Sequence, residues 1–304
     1  MKYPRHLLAE IVLTCFSFLL ITTTAFATDS IVSQGSRIER GVLEMYEEDD
    51  LSSCCLFTGG LINFGYWDPK ITNDAADLTL EQRLNSSKNL YYTVANKACI
   101  SSNDSVLEVG CGQGVGAGLI LKDFHPHQIC GIDFSQAQIN KAKITCNVFK
   151  TESAGPQFIQ GSAEKIPYES SSFNKVYSIE AAQHFENLKG FANESYRVLK
   201  PSGKLVVATF FATAKNSDSM LATHIQTVKD GIDKIVPISD FKEMLEDAGY
   251  TNVKVESIGE NVWYGFDKWV SQGDLKDSWT RNWLKGYEAG LIDYFIVTAD
   301  KEAA

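Results

Sequence analysis

Positive charge is in short supply in this chain: 28 lysines and arginines face 38 aspartates and glutamates, a net charge of −10. A polyanionic substrate needs a basic groove, so nucleic acid is disfavoured as a partner. Metal-binding patterns are missing as well. No cysteine or histidine spacing resembles a zinc site, and the adjacent Cys54 and Cys55 are not a C-x-x-C redox pair. No clustered set of histidine or carboxylate ligands suggests another ion, so the expectation is no metal. Internal repeats and low-complexity segments are also absent.

What is present is enough for one elaborated α/β domain: 304 residues, of which 44% are hydrophobic. The N-terminus stands apart. Lys2, Arg5 and His6 precede an apolar run over residues 11–27 that ends Ala25-Phe26-Ala27, an A-x-A cleavage pattern before Thr28. Residues 1–27 therefore read as a secretory signal peptide, with an uncleaved membrane anchor as the alternative. Export sits awkwardly with any cofactor made in the cytosol. If the leader is not one, the chain is cytoplasmic or membrane-anchored, and membrane contact is expected only through this segment. Cleavage would leave six cysteines, an even number that permits disulfides without implying them.

Residues 28–97 read as a helical and irregular cap without strands. Ile38, Val42, Met45 and Tyr46 share a helix face there, and a helix over 82–98 leads into the domain. From residue 98 to 304, strand and helix signals alternate. Strands are expected at 105–109, 128–133, 158–160, 175–179, 204–210, 252–258 and 291–298, with helices at 114–124, 136–149, 189–199 and 239–248. The pattern predicts a Rossmann-like, doubly wound, mostly parallel seven-stranded sheet with helices on both faces. Two stretches exceed that plan, 211–236 and 259–290, and are expected to be lid insertions. The second holds Trp263, Trp269, Trp279 and Trp283. Trp279, Trp283 and Tyr287 fall on one helical face, as a stripe packed on the core or as an aromatic wall over an apolar substrate.

The chemistry concentrates where the first strand ends, at Val106-Leu-Glu108-Val-Gly110-Cys111-Gly112-Gln113-Gly114. Alternating glycines after an apolar run make a strand turn sharply into a helix and leave room for a ligand against the main chain. Gly112-x-Gly114-x-x-Ala117 also fits a loose dinucleotide fingerprint. Glu108 argues against that fit, because a carboxylate repels a pyrophosphate and holds a cationic amine. The run resembles the first motif of class I S-adenosylmethionine-dependent methyltransferases, E/D-x-G-x-G-x-G. The likeness continues in Asn63-Phe-Gly-Tyr66-Trp67-Asp68, which is similar to a segment that closes over the cofactor. It continues again in Gly161-Ser162-Ala163-Glu164-Lys-Ile-Pro-Tyr168 and in Glu180-Ala-Ala-Gln-His184. The last is similar to the E-A/S-x-x-H segment of methyltransferases acting on macrolides, sugars, sterols and tocopherols. The N-P-P-Y-type motif of nucleic-acid amino-methyltransferases is absent.

The resemblance implies S-adenosylmethionine as cofactor and a small or lipid-like molecule as acceptor, through O, N or C. Cofactor contacts are expected from Glu108, Gly110, Cys111, Gly112, Gln113, Gly114, Asp133, Phe134, Gln138, Ser162, Ala163, Glu164 and Glu180. Asp133 ends the second strand, 25 residues after Glu108, where an acid can accept from both ribose hydroxyls. Phe134 can stack on the adenine. Ser162 stands where the family has aspartate, and Asn174 where it commonly has aspartate. His184 is the candidate general base. Tyr66, Trp67, Trp263, Trp279 and Trp283 are the candidate substrate or lid residues. Two rival readings stay open, an NAD(P)-dependent oxidoreductase and a catalytically degenerate exported protein that binds the cofactor.

Overall fold

The computed structural model describes residues 56–74, 76–149 and 155–303. The leader, the helix face at Ile38 to Tyr46, and Cys54 and Cys55 lie outside the described residues. Among the described ones, no helix is long and apolar enough to cross a membrane.

The chain enters through a one-turn helix at Pro69–Thr72 and then α1, Leu80–Ala98. A reciprocal capping box starts α1: Gln82 N donates to Thr79 Oγ1 (3.2 Å) and Thr79 N donates to Gln82 Oε1 (2.7 Å). This box moves the start ahead of the predicted residue 82. Then follow β1 (Ser105–Val109), α2 (Val115–Phe124), β2 (Gln128–Asp133), α3 (Gln136–Thr145), β3 (Gln157–Gln160), β4 (Phe173–Ile179), α4 (Leu188–Val198) and β5 (Leu199–Ala212). The chain closes with α5 (Ile238–Asp247), β6 (Thr251–Ser257), α6 (Gly259–Ser271), α7 (Asn282–Glu288) and β7 (Ile292–Asp300).

The seven strands lie in the order β3-β2-β1-β4-β5-β7-β6. Pairing is parallel from β3 through β5, and β7 runs antiparallel to both β5 and β6. The chain winds outward from β1 to β3 on one side and from β4 to β5 on the other. The loops leaving β1 and β4 therefore diverge and leave a crevice at their carboxyl ends. Strand alternation sorts the core onto two faces. Val106, Tyr177, Val206, Ala208 and Ile296 pack beneath α1, α2, α6 and α7. Leu107, Val176, Leu205, Val207 and Val297 pack against Phe191 of α4 and Phe241 of α5. Truncating one such buried leucine to alanine costs about 2–5 kcal/mol.

Three boundaries depart from the sequence reading. Strand β5 begins at Leu199, pairs with Phe173, and rejoins regular register only at Lys204 with Lys175. Its first part is the turn at Pro201-Ser202-Gly203, which the ladder absorbs as an irregularity. Helix α3 gives way to a 3₁₀ turn at Cys146–Phe149, where β-branched Ile144, Thr145 and Val148 weaken helix preference. The tryptophan stretch breaks into a 3₁₀ turn at Trp279–Arg281 followed by α7, so it is not one continuous helix. The 211–236 stretch contributes the end of β5 and two short helices, Ser217–Leu221 and Gln226–Lys229.

Candidate active site

A cavity of about 1100 Å³, counting its open mouth, occupies the crevice between the ends of β1 and β4. Its floor is the glycine turn. Gly110, Gly112 and Gly114 all have positive φ, at +80°, +49° and +73°, where side chains are strained. Their surroundings differ. A Cβ on Gly110 would lie 2.2 Å from the Ala181 Cβ, and one on Gly114 would lie 2.6 Å from the Phe158 ring. At Gly112 nothing lies within 4 Å. Packing demands the outer two glycines, while the middle one opens directly onto the cavity.

Asp133 closes one side. Its Oδ2 accepts from Gly112 N (2.8 Å) and its Oδ1 from Ser135 N (3.0 Å). Each oxygen keeps a lone pair beyond these bonds. Burial pushes its carboxyl upward, opposed by the two backbone bonds. The cap of α3 is Ser135, whose side chain accepts from Gln138 N, so Asp133 is not needed there. Phe134 lines the cavity while 41% exposed. Opposite, Ser162 Oγ accepts from Glu164 N (3.1 Å), and Glu164 Oε1 accepts from Asn187 N (2.7 Å). These bonds fix the turn that carries Ala163.

Among the expected cofactor residues, the cavity gathers Gly110 to Gln113, Asp133, Phe134, Ser162 to Glu164 and Glu180. Glu108, Gly114 and Gln138 are not on its wall. Glu108 is fully buried, because strand alternation puts it beside Val106 on the face under α1. There its Oε1 accepts from the Tyr91 hydroxyl (3.1 Å), and burial raises its carboxyl to about 8. The expected contact of Glu108 with a cationic amine is not one the cavity wall offers. Glu180 stands at the wall instead. It directly follows β4 with a left-handed φ of +46°, the kind of backbone strain that clusters at functional sites. Its Oε1 accepts from Phe64 N (2.7 Å) and the Tyr294 hydroxyl (3.0 Å), and burial raises it to about 8.

His184 follows on a 3₁₀ turn and also lines the cavity. Its Nδ1 lies 3.0 Å from the Ile232 carbonyl and 3.5 Å from Asp233 Oδ1, and its Nε2 is 3.1 Å from Gln183 Nε2. Asp233 is buried, and Lys234 N donates to Gln183 O (2.8 Å), so the loop that carries Asp233 clasps the histidine. Asp233 and Gln183 were not legible as site residues. Asp233 sits 49 positions after His184, inside an insertion with no motif of its own.

The aromatic candidates lie elsewhere. Trp67, Trp263 and Trp283 are buried at 2%, 0% and 3% exposure, and neither they nor Tyr66 and Trp279 reach the cavity wall. Trp263 stacks on Trp283 (5.8 Å, 13°), and Phe64, Phe210 and Phe266 complete the cluster. Trp263 and Trp283 therefore belong to the core and not to the cavity wall, which is the packed-stripe reading for Trp283 and not the aromatic wall. The stretch Asn63 to Trp67 does serve the site through its backbone. Buried Arg83 donates to the carbonyls of Leu56 (2.9 Å) and Asn63 (2.6 Å), and Glu180 holds Phe64 N. The preceding residues Gly60 and Ile62 then form part of the cavity's roof, along with Tyr91. Asn174 is structural: its Oδ1 accepts from Ser105 N (2.9 Å) and Lys200 Nζ (3.2 Å). Among the described residues, no group of three or more His, Cys, Asp or Glu side chains converges as a metal site would need.

An open cradle at Gly112, an acid with spare lone pairs at Asp133, an exposed ring at Phe134 and a buried acid at Glu180 fit S-adenosylmethionine. Comparison with known proteins agrees. Residues 107–207 match the family model described as a methyltransferase domain. The chain is 28% identical over 271 residues to erythromycin 3''-O-methyltransferase of Saccharopolyspora erythraea, covering 81% of this chain and 85% of that protein. It is 32% identical over 180 residues to a sterol 24-C-methyltransferase of Saccharomyces cerevisiae, covering 56% of this chain but only 46% of that protein. In fold it matches geranyl diphosphate C-methyltransferase from Streptomyces coelicolor with a TM-score of 0.74 at 12% identity, over 88% of this chain and 100% of that one. These likenesses set aside the dinucleotide reading of the glycine turn, and residues 107–207 are the methyltransferase domain of an S-adenosylmethionine-dependent enzyme.

Proposed function

We propose that this protein methylates a hydroxyl group on a small, lipid-like molecule, using S-adenosylmethionine. The observation that carries the choice of a hydroxyl is His184 on the cavity wall with buried Asp233 behind its Nδ1. A hydroxyl must lose its proton as the new bond to carbon forms, and a histidine is suited to take it near neutral pH. The cofactor supplies a methyl group made electrophilic by its sulfonium. The protein's own part is alignment and proton removal. Asp133 would accept from the ribose hydroxyls, the backbone at Gly112 would lie against the ligand, Phe134 would stack on the adenine, and Glu180 would take the amino group. The Asp233 carboxylate, buried 3.5 Å from Nδ1, stabilises the imidazolium that forms.

The acceptor's size class is supported by the relatives, whose names cite a macrolide and a sterol. The test is transfer of labelled methyl to a panel of apolar alcohols, by wild type and by His184→Ala. Turnover falls by about 10²–10⁴-fold in the variant if His184 is the base, with affinity for S-adenosylhomocysteine unchanged. A rate within threefold of wild type refutes the base. It would favour a carbon acceptor, as in the sterol and geranyl diphosphate enzymes.

A further inference from the structure

Gln183 precedes the proposed base, is buried, and has every polar atom of its side chain committed. Its Oε1 accepts from Thr209 Oγ1 (2.7 Å). Its Nε2 donates to the Glu180 carbonyl (2.9 Å) and lies 3.1 Å from His184 Nε2. The orientation of this amide is dictated by the Glu180 carbonyl, which can only accept. Turning the amide over would set oxygen against oxygen. The nitrogen of Gln183 therefore faces His184 Nε2 as a donor, and His184 Nε2 must be the bare, accepting nitrogen. The opposite side of the ring gives the same answer independently. His184 Nδ1 lies 3.0 Å from the Ile232 carbonyl, again an obligate acceptor, so Nδ1 carries the hydrogen.

We propose that Gln183 is a positioning residue that holds His184 as the neutral, Nδ1-protonated tautomer and occupies the Nε2 lone pair until the acceptor's hydroxyl takes its place. The inference rests on the reading of His184 as the base. When the acceptor enters, its O–H replaces one of the two Gln183 N–H donors at Nε2, while the other stays on Glu180. The proton passes to Nε2, and the oxygen's electron pair forms the bond to the methyl carbon as the carbon–sulfur pair returns to sulfur. The imidazolium then carries N–H at both nitrogens. Gln183 would now face it donor to donor, whereas Asp233 favours it. The two neighbours pull the ring in opposite directions: Gln183 towards the neutral form and Asp233 towards the charged one. Other acids near the ring are Asp133, whose carboxyl burial pushes upward, and Glu164, Glu180 and Glu186 on the same cavity wall.

Long-range ¹H–¹⁵N NMR of the full chain with ¹⁵N-labelled histidine reads this directly and needs no acceptor. His184→Ala identifies the signal among the five histidines. The expected result at high pH is a pyrrole-type Nδ1 and a pyridine-type Nε2. In Gln183→Met the titration midpoint should rise by about half to one unit, the worth of one neutral hydrogen bond. In Asp233→Asn it should fall. An Nε2-protonated tautomer in the wild type overturns the proposal without any variant having to fold. A midpoint unmoved by Gln183→Met overturns it as well. Failure of the catalytic reading would show separately, as methyl transfer that survives His184→Ala with the tautomer as stated.

Discussion

Replacing Gly112 and Gly110 by alanine, one at a time, separates what the glycine turn does for the ligand from what it does for the fold. Both positions have positive φ, so both variants carry about 1–2 kcal/mol of backbone strain. At Gly110 the new methyl also meets the Ala181 Cβ at 2.2 Å. Relieving that overlap costs about 1–3 kcal/mol more. At Gly112 the methyl meets no protein atom within 4 Å, so the fold carries only the strain. The methyl instead projects into the space assigned to the cofactor. An overlap of about 1.5–3 kcal/mol with the bound ligand lowers affinity by about 10–150-fold. Denaturant unfolding and calorimetric titration with S-adenosylhomocysteine measure the two effects. Gly110→Ala should lose about 2–5 kcal/mol of stability, and Gly112→Ala less than half of that but most of its binding. If Gly112→Ala binds within twofold of wild type, the cradle is misassigned. Equal destabilisation of the two variants would refute the packing distinction.

Two buried acids give further expectations. Glu180 is raised to about 8, so at pH 7 it is mostly protonated, and pairing with a cationic amine should expel that proton. Binding of S-adenosylhomocysteine should then release about one proton at pH 7 and tighten as pH rises from about 6 to 8. Calorimetry in buffers of different ionisation enthalpy reads the release, and Glu180→Gln should abolish it. Glu108 is likewise raised from 4.5 to about 8. Between those values the unfolded chain has lost the proton and the folded one has kept it, so this group makes stability fall as pH rises through that window. Glu108→Gln should flatten the loss of urea stability from pH 5 to 8, and a slope equal to wild type would show that Glu108 is not buried as an acid.

Sequence alone determined the parts of this protein whose signal is local. Strand and helix periodicity gave the sheet and its helices, because burial on a face repeats every second residue in a strand and every three to four in a helix. The glycine turn, Asp133 and Phe134 were legible for a similar reason: each sits within a few residues of a strand end, and strand ends in such sheets carry the ligand. Side-chain direction and long-range partnership were decided by tertiary structure. Glu108 read as a ligand contact, yet alternation along β1 and the cover of α1 turned it beneath the floor, and Glu180 took the wall from 72 residues further on. The tryptophan stripe read first as core and second as a wall, since amphipathic spacing marks a buried face without saying what it meets. Packing of Trp263 on Trp283 answered that. Asp233 had no local signal at all. Only the folding back of the insertion onto the turn after β4 brings its carboxylate within 3.5 Å of His184, because proximity between distant segments is a property of the packed chain and not of spacing along it.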